Sequence, residues 1–248
     1  RPTSWLCGLL AGIAQAGVFN PYDRALYLSV KDNRSFLHVL NWKNPYIGFS
    51  QSLGGRALSG GLYFPVEHFM LRTCENHLLA GFAAGTVNAI VLNPLTAVKY
   101  KTWGRDVNRG MWKEAYNMLN KGRLRPFFRG LSPTIARDVV FGGTYTYLRL
   151  FILDERHDNK HTANFVAAAL ATVASGPFNY ARNVQFSTET SAELHESTIQ
   201  ILYNLGRETN RLPTLPERLH YLQSKLRIGW GTARVALGMT FAHGIYDW

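Results

Sequence analysis

The chain has 248 residues, a formal net charge of +11 and a mean hydropathy of −0.12, an average that suits one or two soluble domains and, taken alone, says little about the fold. Two cysteines, Cys7 and Cys74, exclude a disulfide framework and have no metal-ligand spacing, so they read as small buried residues. Only 17% of residues are charged and 22 are glycine, while the excess of base calls for an anionic partner: nucleic acid, lipid headgroups or an acidic solute.

Residues 2–22 carry no Asp, Glu, Lys or Arg and end at Pro21-Tyr22. The first residue is Arg1 rather than Met, which predicts a chain processed or continued at its start. A basic segment follows over 23–43, then an apolar stretch over 46–66 interrupted by Arg56. The order then repeats. Residues 78–98 are uncharged and contain Pro94; residues 99–129 are basic, with an amphipathic helix over 111–120; residues 131–148 are apolar around Arg137. A third unit runs from the uncharged residues 162–181 with Pro177, through 182–227, to residues 228–246 around Arg234. Each uncharged stretch is close to the roughly 20 residues a helix needs to cross the hydrocarbon layer.

The reading is therefore one domain over 1–248, an all-α membrane protein of six transmembrane helices in three repeats near 1–74, 75–158 and 159–248. Small residues recur in register with the prolines: Gly8 and Gly12 before Pro21, Gly81 and Gly85 before Pro94, with Asn164 and Ala168 in the third unit. Of the 27 Lys and Arg, 19 lie in the three segments that follow the first, third and fifth helices. Five lie on the opposite side: Arg1, Arg72, Arg149, Arg156 and Lys160. The positive-inside rule then places both termini on the basic-poor side.

Pro21-Tyr22-Asp23-Arg24-Ala25-Leu26, Pro94-Leu95-Thr96-Ala97-Val98-Lys99 and Pro177-Phe178-Asn179-Tyr180-Ala181-Arg182 resemble degenerate copies of the P-x-[DE]-x-x-[KR] signature of the mitochondrial carrier family. Phe128-Arg129-Gly130 resembles the aromatic-basic-glycine that closes that signature, and Tyr46-Ile47-Gly48 is a weaker copy. Tyr246-Asp247 resembles the start of the family's gate motif on the other side. The resemblance covers essentially the whole chain. It implies a barrel of six tilted helices around a substrate cavity, with short amphipathic surface helices and with Pro21, Pro94 and Pro177 kinking the odd helices. It also implies a matrix gate in which the acid of one repeat pairs with the base of the next. Those partners would be Asp23 with Lys99, Thr96 with Arg182, and Asn179 with Leu26, of which the first alone is a salt bridge. Arg72 and Asp247 would form the opposite gate. Only 35 residues separate Pro21 from Arg56, against 43 and 57 in the later units, so the first unit is expected to have lost much of its surface helix.

Arg56, Arg137 and Arg234 occupy positions that the resemblance implies are substrate contacts. A charge at mid-membrane costs roughly 2.5–3.5 kcal/mol on insertion scales, so each should face a wet cavity or a partner. Converging guanidiniums bind carboxylate or phosphate through forked hydrogen bonds, and Asp138 beside Arg137 can neutralise it or hold a substrate amine. Alternatively, the three arginines pair within the bundle.

His157 and His161 read as loop residues rather than metal ligands. No phosphate loop, nucleophile elbow or acid–base pair at usable spacing appears, so neither an enzyme nor a cofactor is expected. The basic segment 99–129 lies beside membrane, which favours anionic lipid headgroups such as cardiolipin over nucleic acid. Two functions follow: exchange of a small anionic metabolite, a carboxylic or amino acid, across the mitochondrial inner membrane by alternating access; or a non-transporting structural subunit or membrane anchor with protein partners in a larger inner-membrane assembly.

Overall fold

The computed structural model describes residues 2–55, 58, 69, 77–104, 110–156, 160–187 and 196–246. These are helical throughout their regular structure, with no strand among the described residues. The elements are α1 (Pro2–Lys31), a 3-10 turn (Val39–Trp42), α2 (described over 49–55), α3 (His77–Trp103), α4 (Met111–Gly122), α5 (Arg125–Phe128), α6 (Leu131–Arg156), α7 (Lys160–Ser187), α8 (Thr198–Asn210), α9 (Leu215–Leu226) and α10 (Trp230–Tyr246).

Local chemistry explains the long helices. Prolines 21, 94 and 177 fall inside α1, α3 and α7, where each removes one backbone donor. Hydroxyls within these helices bond back to their own carbonyls: Thr86 to Phe82, Thr102 to Val98, Thr172 to Ala168 and Ser175 to Ala171. That lets a polar side chain face apolar surroundings without losing its hydrogen bond. Helix α7 packs on both α6 and α10 and buries Ala163, Ala167, Ala168 and Ala171 completely, since side chains this small let neighbouring backbones approach.

The long helices are neighbours in chain order around a ring: α3 on α6, α6 on α7, α7 on α10, and α10 on α1. The three proline helices also touch one another. They meet through an aromatic cluster in which Tyr27 of α1 lies 4.7 Å from Tyr100 of α3, and Tyr100 stacks at 4.7 Å on Phe186 of α7. Trp103 stands 5.3 Å from Tyr100, and all four rings are buried. Large apolar side chains point outward from the same helices, among them Leu10 and Val18 on α1, Ile90 and Val91 on α3, and Leu170 and Val173 on α7.

Among the described residues no helix is long and apolar enough to cross a membrane. The uncharged stretches do lie in helices of the anticipated length: α1, α3 and α7 have 30, 27 and 28 residues. Apolarity falls short because these helices bury Gln15, Asn20, Asn93, Asn164 and Ser175, and because charged residues follow two to five positions after the prolines.

The surface elements differ between the first part of the chain and the rest. Only the 3-10 turn Val39–Trp42 forms between α1 and α2, whereas α4 buries Glu114 and Met118 and exposes Trp112, Tyr116 and Leu119. Helices α8 and α9 are capped by Ser197 and Thr214, whose hydroxyls accept from the backbone N–H of Gln200 and Glu217.

Candidate functional site

Each of α2, α6 and α10 is entered through a glycine of positive φ: Gly48 at 75°, Gly130 at 67° and Gly229 at 102°. The left-handed region favours glycine on backbone grounds, and packing adds a second reason at two of the three. A Cβ on Gly48 would lie 2.6 Å from Trp103 Cδ1, and one on Gly130 would lie 2.8 Å from Phe186 Cζ. Trp103 and Phe186 each stand nine residues after a helix proline, Pro94 and Pro177. Gly229 has no such neighbour. There Arg227 makes the joint instead, its Nη2 donating to the carbonyls of Ser29 at 2.5 Å and Arg34 at 2.8 Å. Burial pushes the Arg227 guanidinium below its usual range.

The residue before the proline supplies a second tie. Asn93 Nδ2 donates to the Phe127 and Arg129 carbonyls at 2.7 and 2.9 Å, and Asn20 Nδ2 donates to the Pro45 carbonyl at 3.1 Å. Gly176 holds that place in α7. Sequence reasoning missed these asparagines and Gly229; the signal that finds them is their fixed offset from each proline and from each following helix.

A group of charged side chains lies where the helices converge. Arg234 Nε and Nη2 donate to the two carboxylate oxygens of Asp23 at 2.5 and 2.6 Å. The guanidinium sits 4.8 Å from the Phe19 ring centroid, and a Cβ at Gly238 would come within 2.9 Å of its Nη1. Gln15 donates to the Gly238 carbonyl at 2.6 Å, and the Tyr22 hydroxyl to the Trp230 carbonyl at 2.8 Å, fixing α1 against α10. Arg137 Nε donates to Asp138 Oδ1 at 2.8 Å, and its Nη2 bonds the same oxygen. The Arg137 and Asp138 side chains are 28% and 23% exposed, against 8% for Arg234 and 25% for Asp23, so a solute can reach the Arg137 guanidinium more readily than that of Arg234.

Arg182 Nη2 donates to the Tyr100 hydroxyl at 2.7 Å and to Asn179 Oδ1 at 2.8 Å. Lys99 places its ammonium 4.6 Å from the Trp103 ring centroid and 5.3 Å from that of Tyr100. Thr96 is half-buried on α3. Arg137, Asp138 and Asp23 all lie within electrostatic reach of Arg182, so the structure gathers Asp23, Arg137, Asp138, Asn179, Arg182 and Arg234 into one polar centre. Arg56, Arg72 and Asp247 lie outside the described residues.

Comparison with known proteins bears on this arrangement. Residues 71–151 match the family described as mitochondrial carrier protein. The mitochondrial glycine transporter of Ovis aries is 22% identical over 199 residues, covering 69% of this chain and 63% of that protein. The mitochondrial glycine transporter of Candida glabrata is 24% identical over 196 residues, covering 70% of this chain and 61% of that protein. The chain thus spans a little over three-fifths of the length of these curated relatives.

Proposed function

From the match of residues 71–151 to the mitochondrial carrier family and the likeness to the two relatives, we propose that the chain is a member of that family and a carrier of the inner mitochondrial membrane exchanging a small carboxylate-bearing metabolite, with an amino acid as the class the site fits best. The observation that carries this reading is the pairing of Arg137 with Asp138 on α6. A guanidinium beside a carboxylate, both partly exposed, offers a zwitterion one group for its carboxylate and one for its ammonium. The names of the two relatives point to the same class.

Six membrane-crossing helices in three repeats provide the frame. Modest hydropathy fits helices that turn one face to an aqueous path and only the other to lipid. The outward Leu10, Val18, Ile90, Val91, Leu170 and Val173 suit lipid, and Gln15, Asn20 and Asn93 are buried within the bundle. The equivalent seating of Gly48 on Trp103 and Gly130 on Phe186 supports the repeat. The exposed face of α4, with Trp112 and Tyr116, lies against lipid headgroups. Purified protein in liposomes, loaded and challenged with glycine and a panel of amino and dicarboxylic acids, should show saturable counter-exchange. Absence of exchange across the panel defeats the reading.

The engagement of Arg234 by Asp23 favours a second reading, in which the arginines serve assembly and the chain anchors or builds a larger inner-membrane complex. It predicts no uptake together with co-purifying protein partners.

A further inference from the structure

Arg182 differs from the other arginines of the polar centre. It is 9% exposed, and both partners of its Nη2 are neutral, a phenol and an amide. Its Nε is buried and makes no hydrogen bond. Among the described residues no carboxylate is in contact with it: Asp23 bonds Arg234 and Asp138 bonds Arg137, so both attract Arg182 only from longer range, while Arg137 repels it. A desolvated cation without a counter-ion is costly, and the cost falls when an anion reaches it. The sequence shows why none is supplied. The position two residues after Pro94 holds Thr96, where the resemblance implies an acid that would have neutralised Arg182, and Asn179 on the same helix as Arg182 is an amide rather than an acid.

We propose that Arg182 is a second anchor for the substrate carboxylate beside Arg137, the carboxylate taking the unpartnered Nε–H and supplying the acid that Thr96 does not. This rests on the reading of the chain as a carrier of carboxylate-bearing metabolites. Tyr100 links the anchor to closure, because the ring that accepts from Arg182 is also stacked on Phe186 and packed on Tyr27, where α1, α3 and α7 meet. Substrate binding therefore gives the buried charge a counter-ion in direct contact at the point of convergence and favours the packed state over the separated one.

Binding to the purified full chain in detergent tests this, using glycine and succinate as probes with glycinamide and succinamide as the counterparts that lack a carboxylate. Wild type should bind an acid in preference to its amide. Arg182→Gln should weaken binding of that acid about tenfold or more, the size expected for a lost charge-assisted hydrogen bond, and should erase the preference. Wild-type affinity and preference in Arg182→Gln overturn the assignment while leaving the carrier reading intact. Wild type that binds none of the probes, or any of a wider panel of amino and carboxylic acids, overturns both. If Arg182→Gln does not fold, Arg182→Lys decides: it keeps the charge without the Nε–H, so several-fold weaker binding supports the anchor and unchanged affinity refutes it.

Discussion

Arg234 on α10 and Asp23 on α1, separated by 211 residues in sequence, form two parallel hydrogen bonds of 2.5 and 2.6 Å beside the ring of Phe19. The arginine is almost fully enclosed and the aspartate a quarter exposed, so the pair is sheltered but not dry. Removing one partner costs the other its two hydrogen bonds. Arg234→Ala should destabilise the protein by about 2 kcal/mol, below the 3–5 typical of a fully buried pair. Asp23→Ala in that background should add little, a non-additivity that a double-mutant cycle by chemical denaturation measures. Fully additive losses would show that the pair contributes nothing as a unit.

The three entry glycines should differ in tolerance. Gly48→Ala and Gly130→Ala meet both backbone strain and a ring closer than 3 Å, and should each cost about 2–4 kcal/mol. Gly229→Ala meets strain in open space and should cost about 1 kcal/mol. Thermal melts of the three variants rank them. Gly229→Ala as the most damaging would contradict the packing described here.

Asn93 should matter more than Asn20, since it satisfies two carbonyls of the connection around α5 where Asn20 satisfies one. Asn93→Leu keeps the volume and leaves both carbonyls without that donor, a loss of about 2–3 kcal/mol, with about 1 kcal/mol for Asn20→Leu. Hydrogen exchange of the segment around residues 125–130 should rise in the first variant alone.

Tyr100→Phe retains every ring contact and removes only the oxygen that accepts from Arg182. Because the donor is charged, the loss should be about 1.5–3 kcal/mol, and Tyr27→Phe should cost less. Equal stability of the two variants would mean that the cluster is held by stacking alone.

Much of this arrangement is legible in the sequence where chemistry is local. The charge-free stretches and the prolines within them become α1, α3 and α7, because a long run without charge can be buried or face lipid along its length. Pro21, Pro94 and Pro177 mark a register that also places Gly48 and Gly130. The third joint escapes because Arg227-Ile228-Gly229 lacks the aromatic residue, and its hold on α1 comes from a side chain reaching carbonyls almost 200 residues away. Pairing over that range is not encoded in spacing. Arg234 reads as a lone cavity arginine until the closing contact of α10 on α1 brings Asp23 to it. Hydropathy misleads in the other direction: Asn20 and Asn93 lower the average of helices they help to position, because a buried amide that ties down a loop counts as polar however well it is satisfied.

The claim that this chain carries a zwitterionic or carboxylate metabolite is tested most directly by glycine counter-exchange in liposomes, run beside thermal stability, for wild type and Arg137→Ala. Arg137 is partly exposed and, among the described residues, bonded to its neighbour Asp138 on the same helix. Its loss should therefore cost little stability, while transport at subsaturating substrate should fall about tenfold or more, as loss of one charge-assisted contact requires. Lost uptake with an unchanged melt is the predicted result. No uptake by wild type, together with a clearly destabilised Arg137→Ala, would contradict it and leave the chain a structural protein.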